Sequence, residues 1–206
     1  MILYYIHDPM CSWCWGFRPV WDMIRQNLSD KVQVRYILGG LAPDSDAPMP
    51  IVMQKEIATH WRKIKKHIPG TEFNFDFWEN CQPRRSTYPA CRAVIATRKQ
   101  HKNAELAMIK AIQHAYYLQA KNPSNESVLV DLAVSLKLDK EQFIADINSQ
   151  AVQNELDQEI SFSRQIGSQG FPSLIISNGR EYKMVPLDYN NAETALIFIN
   201  SKIKNY

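Results

Sequence analysis

Two cysteines separated by two residues, Cys11 and Cys14, stand between a short apolar run and a helical pattern, and they constrain the fold more than any other feature. Residues 2–7 form a compact apolar and aromatic run that an Asp-Pro pair ends, which is typical of a buried β-strand. Apolar residues at about 11–28 recur at helical spacing. Residues 31–38 alternate polar and apolar before a Gly-Gly pair, which indicates a second strand. The first forty residues therefore predict a β-α-β unit.

The rest of the chain is first mostly helical and then returns to strand patterns. After a loop rich in Pro and Asp, most segments up to about residue 165 have helical periodicity. Strand signals return at 173–176, and an Asn-Gly pair predicts a hairpin turn to a partner strand at 181–185. A last helix is predicted to begin near Asn190. Because the helical block splits the sheet in sequence, the prediction is one composite α/β domain.

Composition and charge exclude several functional classes. The 206 residues include 24 basic and 21 acidic side chains, and a net charge of +3 is too balanced to indicate nucleic-acid binding. No apolar run approaches the ~20 residues that span a bilayer, so we expect no membrane association. The first apolar run has no Lys or Arg before it, unlike a secretory signal. These features predict a cytoplasmic protein, whose thiols are kept reduced.

The segment Cys11-Ser12-Trp13-Cys14 carries the strongest chemical signal. At a helix start this spacing can bring two sulfurs within bonding range, and the helix dipole favours the thiolate form of the first. Thiolates attack disulfides and also bind metals. Zinc sites use the same spacing, so a site built from both cysteines with His7 or another cysteine remains an alternative. The position between a strand and a helix favours the redox interpretation.

A second signal is Gly170-Phe171-Pro172, directly before the third predicted strand. One interpretation is a trans proline at the first residue of a strand. Beside a Cys-x-x-Cys helix, a cis bond between Phe171 and Pro172 is favoured instead. The backbone of Phe171 would then face outward, where it could pair with an extended peptide that carries the target cysteine.

These motifs, with the helical insertion between them, resemble the DsbA-like thiol–disulfide oxidoreductases. Within that family the chain is most similar to the FrnE-like branch, also described as predicted protein-disulfide isomerases. The resemblance implies a thioredoxin-like fold, β-α-β … β-β-α, with a large α-helical insertion. Its thioredoxin-like parts would be residues 1–41 and 166–206, and the insertion about 42–165.

The resemblance also implies roles for individual residues: Cys11 as the nucleophile, Cys14 as the resolving cysteine and Pro172 as the cis-proline. The reaction would pass through a mixed disulfide with a disulfide- or dithiol-containing protein or small molecule. No cofactor and no metal are expected, and glutathione or thioredoxin would serve as redox partner. The periplasmic oxidants of this family place Pro-His between their cysteines. Here Ser12 and Trp13 intervene, and an uncharged Trp13 argues against a very strong oxidant.

Three neighbours of the motif are further candidates. His7 and Asp8 could tune the Cys11 thiol, and the alternatives are a strand-end histidine with one ordinary hydrogen bond and a turn or capping aspartate. Trp13, between the cysteines, is the aromatic residue expected to be exposed, where it could contact an apolar substrate segment.

A central segment contains two more cysteines. Cys81 and Cys91 are expected to be a loop thiol and a buried helical thiol, with a second disulfide or a relay to the redox pair as alternatives. Arg84 and Arg85 could hold a carboxylate or a glutathione-like anion if they face the cleft, and otherwise form a solvated pair.

Other functions remain open from the sequence. Kappa-type glutathione transferases and 2-hydroxychromene-2-carboxylate isomerases resemble this architecture, but they use Ser where this chain has Cys11. A non-catalytic DsbA-like adaptor is a second alternative. The sequence favours an oxidoreductase or isomerase with Cys11 and Cys14 as its redox-active centre, and it predicts no particular oligomeric state.

Overall fold

The structure is a computed structural model that describes residues 1–203. Within these residues, the strands are β1 (Ile2–His7), β2 (Gln33–Leu38), β3 (Ser173–Ser177) and β4 (Tyr182–Val185). They form one mixed sheet in the order β2-β1-β3-β4. β1 pairs with β2 in parallel and with β3 in antiparallel orientation, and β3 pairs with β4 as a hairpin. The central strands β1 and β3 are almost entirely buried, as their continuous apolar runs predict.

The first and last helices lie where the sequence predicts them: α1 (Ser12–Gln26) follows β1, and α9 (Glu193–Ile203) follows β4. Between β2 and β3 lie α2 (Ile51–His67), α3 (Phe77–Asn80), α4 (Tyr88–Gln100), α5 (Glu105–Tyr117), α6 (Glu126–Ser135), α7 (Lys140–Ile147) and α8 (Gln150–Gln165). A short 3₁₀ turn, Lys102–Ala104, leads into α5. Helix α9 begins three residues after the predicted Asn190. None of the helices in residues 1–203 is long and apolar enough to span a bilayer.

Local sequence explains where several helices begin. Asp139 caps α7 by accepting a hydrogen bond from the Gln142 backbone N–H at 2.7 Å, and Ser149 caps α8 through the Val152 N–H. In α1, by contrast, the cap residue is Cys11, whose side chain caps no backbone N–H. The first turn of α1 thus keeps its free N–H groups next to a thiol.

Two main apolar cores hold the chain together. One lies between the sheet, α1 and α9, and includes Phe17, Trp21 and Ile199. The other fills the helical block around Trp61 and Tyr117. The β1–α1 loop lies where the two cores meet, because Met10 belongs to the helical-block core whereas α1 packs on the sheet. This junction places the cysteine pair between the sheet and the helical block.

Candidate active site

Cys11 and Cys14 occupy the N-terminal turn of α1, and both are free thiols. The Cys11 N–H donates to the Asp8 carbonyl at 3.0 Å, and the Trp15 N–H donates to the Cys11 carbonyl at 3.0 Å. Cys11 is 6% exposed and lines an open pocket, whereas Cys14 has no exposed surface. A substrate sulfur can therefore approach Cys11 but not Cys14.

The electrostatics of Cys14 suit a residue that acts second. Burial raises the pKa of the Cys14 thiol well above its ordinary value, and a hydrogen bond with Cys11 and the charge of Cys11 raise it further. A backbone hydrogen bond from Asp8 acts in the opposite direction and lowers it. Cys14 consequently remains a protonated thiol behind Cys11 until a disulfide forms in front of it.

The Phe171–Pro172 segment lies directly opposite the first cysteine. The Phe171–Pro172 bond is cis, as the sequence predicts, and the Cys11 thiol lies 3.6 Å from the Phe171 carbonyl oxygen, to which it donates. The Phe171 ring packs against Gly39, where an added Cβ would lie only 1.8 Å from the ring. Gly39 therefore leaves the space that this ring fills, a role that a turn signal in the sequence does not reveal.

An open pocket of about 490 Å³ lies in front of Cys11. Its walls include Trp13, Phe171, Arg85 and Arg164, and buried Trp61 also lines it. The indole N–H of Trp61 has no hydrogen-bond partner. The pocket thus offers two guanidinium groups on a lining that mixes aromatic, polar and glycine residues, whereas the Trp61 N–H is itself buried.

Most of the aromatic residues near the motif are packing residues. Trp13 is half-buried rather than fully exposed, and its ring packs edge-on against Tyr189 with centroids 5.1 Å apart. It still lines the pocket, where a substrate segment can contact it. Trp15 stacks on Tyr117 and donates through Nε1 to the Glu72 carbonyl at 2.9 Å.

Asp8 connects the cysteine loop to the rest of the site. Its side chain is fully buried, and Oδ1 accepts from the Met10 N–H at 2.8 Å. Oδ2 accepts from the Leu41 N–H and from the Thr87 hydroxyl, each at 2.7 Å. Burial raises the pKa of Asp8, and these hydrogen bonds partly offset that effect. Asp8 therefore joins the β1–α1 loop to the loop after β2 and to the start of α4.

His7 is a neutral, buried ring. Its side chain is 1% exposed and stacks on Tyr5 with centroids 5.2 Å apart. Burial and the nearby charge of Arg98 lower the pKa of His7 to about 3. Nε2 has no hydrogen-bond partner. This atom therefore does not make the ordinary hydrogen bond expected of a strand-end histidine. Any influence of His7 on the thiols near neutral pH is therefore that of an uncharged ring.

The remaining cysteines lie apart from the pocket. Cys81 is half-buried and donates to the Ala120 carbonyl at 3.1 Å. Cys91 is fully buried in α4, with its sulfur 3.5 Å from Asp8 Oδ2. Both are free thiols, which agrees with the expected loop and helical thiols and not with a second disulfide. Within residues 1–203, no three His, Cys, Asp or Glu side chains are grouped so that they could hold a metal ion.

The adjacent arginines point in different directions. Arg84 donates to the Ser124 carbonyl and to Asn125 Oδ1, so it holds the loop before α4 against the start of α6. Arg85 is exposed and lines the pocket. The expected anion contact is thus available to Arg85, joined by Arg164 of α8, which the sequence did not single out.

Comparisons with known proteins agree with this architecture. A family model described as thioredoxin matches residues 4–195. The curated ClpXP adapter protein SpxH of Bacillus subtilis (strain 168) is 25% identical over 181 residues, which cover 85% of this chain and 58% of that protein. The chain thus spans less than two thirds of the curated relatives that it matches first.

Two solved structures resemble the whole chain. One is a candidate protein disulfide isomerase from Nitrosomonas europaea, with 28% identity and a TM-score of 0.86 over 100% of this chain and 98% of that one. The other is the cytosolic disulfide reductase DsbM from Pseudomonas aeruginosa, with 21% identity and a TM-score of 0.78 over 100% of both chains. DsbM has also been solved with GSH, again at 21% identity. These matches confirm the predicted thioredoxin-like α/β fold and the resemblance to DsbA-like proteins.

Proposed function

The chain belongs to the thioredoxin family, and we propose that it is a thiol–disulfide oxidoreductase with Cys11 and Cys14 as its redox pair. The observation that carries this proposal is the placement of the two sulfurs. Cys11 lies at the N-terminus of α1 on an open pocket, and Cys14 lies fully buried behind it. An attacking thiol that reaches a substrate pocket, with a fully buried second thiol behind it, suits disulfide exchange.

The proposed reduction has two steps. The Cys11 thiolate attacks one sulfur of a substrate disulfide, forming a mixed disulfide and releasing the other sulfur as a thiolate that takes a proton. Cys14 then gives its proton to solvent and attacks the Cys11 sulfur, which closes the Cys11–Cys14 disulfide and releases the second substrate sulfur as a thiolate that takes up a proton. Two electrons pass from the protein dithiol to the substrate. The reverse sequence oxidises a substrate dithiol, and both together allow isomerisation.

Substrate binding is proposed to use the pocket beside Cys11. The Phe171 carbonyl, next to the cis bond to Pro172, can accept a hydrogen bond from the backbone of an extended peptide. The half-buried Trp13 adds an apolar contact for the substrate. Arg85 and Arg164 favour a substrate or partner with carboxylate groups. This supports glutathione as the small-molecule redox partner, ahead of thioredoxin, in a cytoplasmic protein that acts as a reductase or isomerase.

Turnover of a mixed disulfide with glutathione tests the proposal. The parent chain should reduce a glutathionylated peptide at the expense of glutathione, and Cys11→Ser should abolish this activity. Cys14→Ser should accumulate a covalent adduct on Cys11, detected by mass spectrometry after alkylation. Cys81→Ser serves as the matched control and should keep full activity, because Cys81 lies outside the pocket. Equal activity of Cys11→Ser and the parent would reject the proposal.

A second candidate, a non-catalytic adaptor, is favoured by one observation, namely that the first curated relatives are ClpXP adapter proteins. In that function the fold binds a client and the thiols are dispensable. The double substitution Cys11→Ser with Cys14→Ser separates the two functions. Capture of the ClpXP protease or of a client on immobilised protein should survive the substitution in an adaptor, whereas disulfide exchange cannot.

A further inference from the structure

A second cavity lies on the other side of α1 from the substrate pocket, and no part of the proposed exchange reaction uses it. This rear cavity, of about 220 Å³, lies between α1, the ends of β1 and β2, and α5. The lining residues that bear on its chemistry are His7, Cys14, Arg18, Arg25, Lys110 and Gln113. Its volume is below the roughly 300–1,000 Å³ of pockets for drug-sized molecules, so it suits a ligand of a few heavy atoms.

Two deeply buried side chains that line this cavity each have a polar atom without a partner. His7 is 1% exposed and Gln113 is 3% exposed. Neither His7 Nε2 nor Gln113 Oε1 has a hydrogen-bond partner. An unpaired buried polar group costs about 1–3 kcal/mol, and such groups in native proteins usually bind something. The neutral imidazole can carry its proton on Nε2, and a half-turn of the carboxamide presents its NH₂ group instead of its oxygen. Because both residues line the cavity, a rotation of either side chain would let it donate to a ligand there.

The charges around the rear cavity have one predominant sign. Arg18, Arg25 and Lys110 line it, against a single carboxylate, Asp22, whose Oδ2 lies 3.9 Å from Arg18 Nε. The neighbouring His114 ring contacts Arg18 Nη1 at 3.2 Å. Burial, and then the charges of Arg18 and Lys110, lower the pKa of His114. A water molecule could pair with His7 or Gln113, whereas an anion would also interact favourably with the positive charge of Arg18 and Lys110.

We propose that the rear cavity is a binding site for a small oxyanion, a carboxylate or a phosphate, held by the side chains of His7 and Gln113 and by the positive charge of Arg18 and Lys110. The bound anion would lie against Cys14, which lines the same cavity. It would therefore place negative charge beside the buried sulfur of the redox pair, on the side opposite to the substrate.

Calorimetric titration of the full chain with inorganic phosphate, and separately with acetate, tests this site at constant ionic strength in chloride. We expect saturable binding of at least one probe to one site per chain. Lys110→Gln and Gln113→Leu should each weaken that binding about tenfold or more. Lys110 is exposed, so its substitution tests the site without disturbing the core; Arg18→Gln repeats the test on the facing helix. The probe that binds with the higher affinity shows whether the site prefers a phosphate or a carboxylate.

Arg180→Gln is the matched control, because it removes one positive charge from the β3–β4 hairpin. That hairpin lies at the opposite end of the sheet from His7, since Ser177 pairs with Ile2. The affinity of Arg180→Gln for the bound probe should stay within about twofold of that of the parent. The proposal fails if neither probe binds. It also fails if Arg180→Gln weakens binding as much as Lys110→Gln, or if all cavity variants bind like the parent, which would indicate an adventitious ion only.

Discussion

Acidification should destabilise this fold through His7. The ring is 1% exposed, and burial with the charge of Arg98 lowers its pKa from 6.5 to about 3. The unfolded chain therefore takes up a proton near pH 6.5, whereas the folded chain resists it until about pH 3. The stabilisation is complete above pH 6.5 and is lost as the pH falls through this window. At about 1.4 kcal/mol per pKa unit, the whole window corresponds to roughly 5 kcal/mol, of which about 3 kcal/mol is lost between pH 7 and 4.

Urea unfolding followed by tryptophan fluorescence between pH 7 and 4 measures this effect. His7→Phe keeps a flat ring against Tyr5 but cannot take up a proton. The free energy of unfolding of the parent, minus that of His7→Phe, should therefore fall by about 3 kcal/mol from pH 7 to pH 4. Carboxyl groups titrate alike in both chains and cancel in the difference. His60→Phe, at an exposed position, is the matched control for replacing one histidine by phenylalanine.

A difference between parent and His7→Phe that is constant with pH would refute the reasoning. It would mean that His7 is protonated in the folded chain as easily as in the unfolded one. The side chain would then be accessible to water, and the description of His7 as a buried neutral ring would be wrong.

Three further substitutions have expected outcomes. Gly39→Ala places a Cβ 1.8 Å from the Phe171 ring, so the ring must move; the kcat/KM for disulfide reduction should fall about tenfold, while Tm measured by circular dichroism changes by a few degrees. Thr87→Val removes a hydrogen bond to buried Asp8 and should lower the free energy of unfolding in urea by about 1–3 kcal/mol. Arg98→Met leaves three paired glutamates without their cation and should cost about 3–5 kcal/mol in the same assay at pH 7. A loss below about 0.5 kcal/mol for either of the last two would contradict the assigned contacts.

The parts of the fold that depend on local pattern could be predicted from the sequence. The apolar run of β1 and the helical spacing that follows it locate the two cysteines at the start of α1. The Asn-Gly pair locates the β3–β4 turn, and Asp139 locates the start of α7. Each of these signals depends on residues close together in the chain, where strand, turn and capping preferences act directly.

The walls of the site could not be predicted, because they depend on contacts between distant segments. Asp8 contacts Thr87 across 79 positions of the chain. The Cys11–Phe171 contact, across 160 positions, is expected only from two motifs taken together and not from local pattern. Arg84 and Arg85 are neighbours in sequence, yet only Arg85 lines the pocket, because Asn125 of a distant loop holds Arg84. Burial likewise decides the charge of His7, which its residue type alone leaves open.

The central claim is that Cys11 and Cys14 form a redox pair, and an equilibrium titration with reduced and oxidised glutathione tests it most directly. The redox state is read by alkylation and mass spectrometry in the parent and in Cys11→Ser. The account predicts a single two-electron transition between the parent dithiol and a Cys11–Cys14 disulfide, absent in the variant. A midpoint of about −270 mV would indicate a reductase, and one of about −200 mV would indicate an isomerase or oxidase. If no Cys11–Cys14 disulfide forms across the whole range, the account is contradicted.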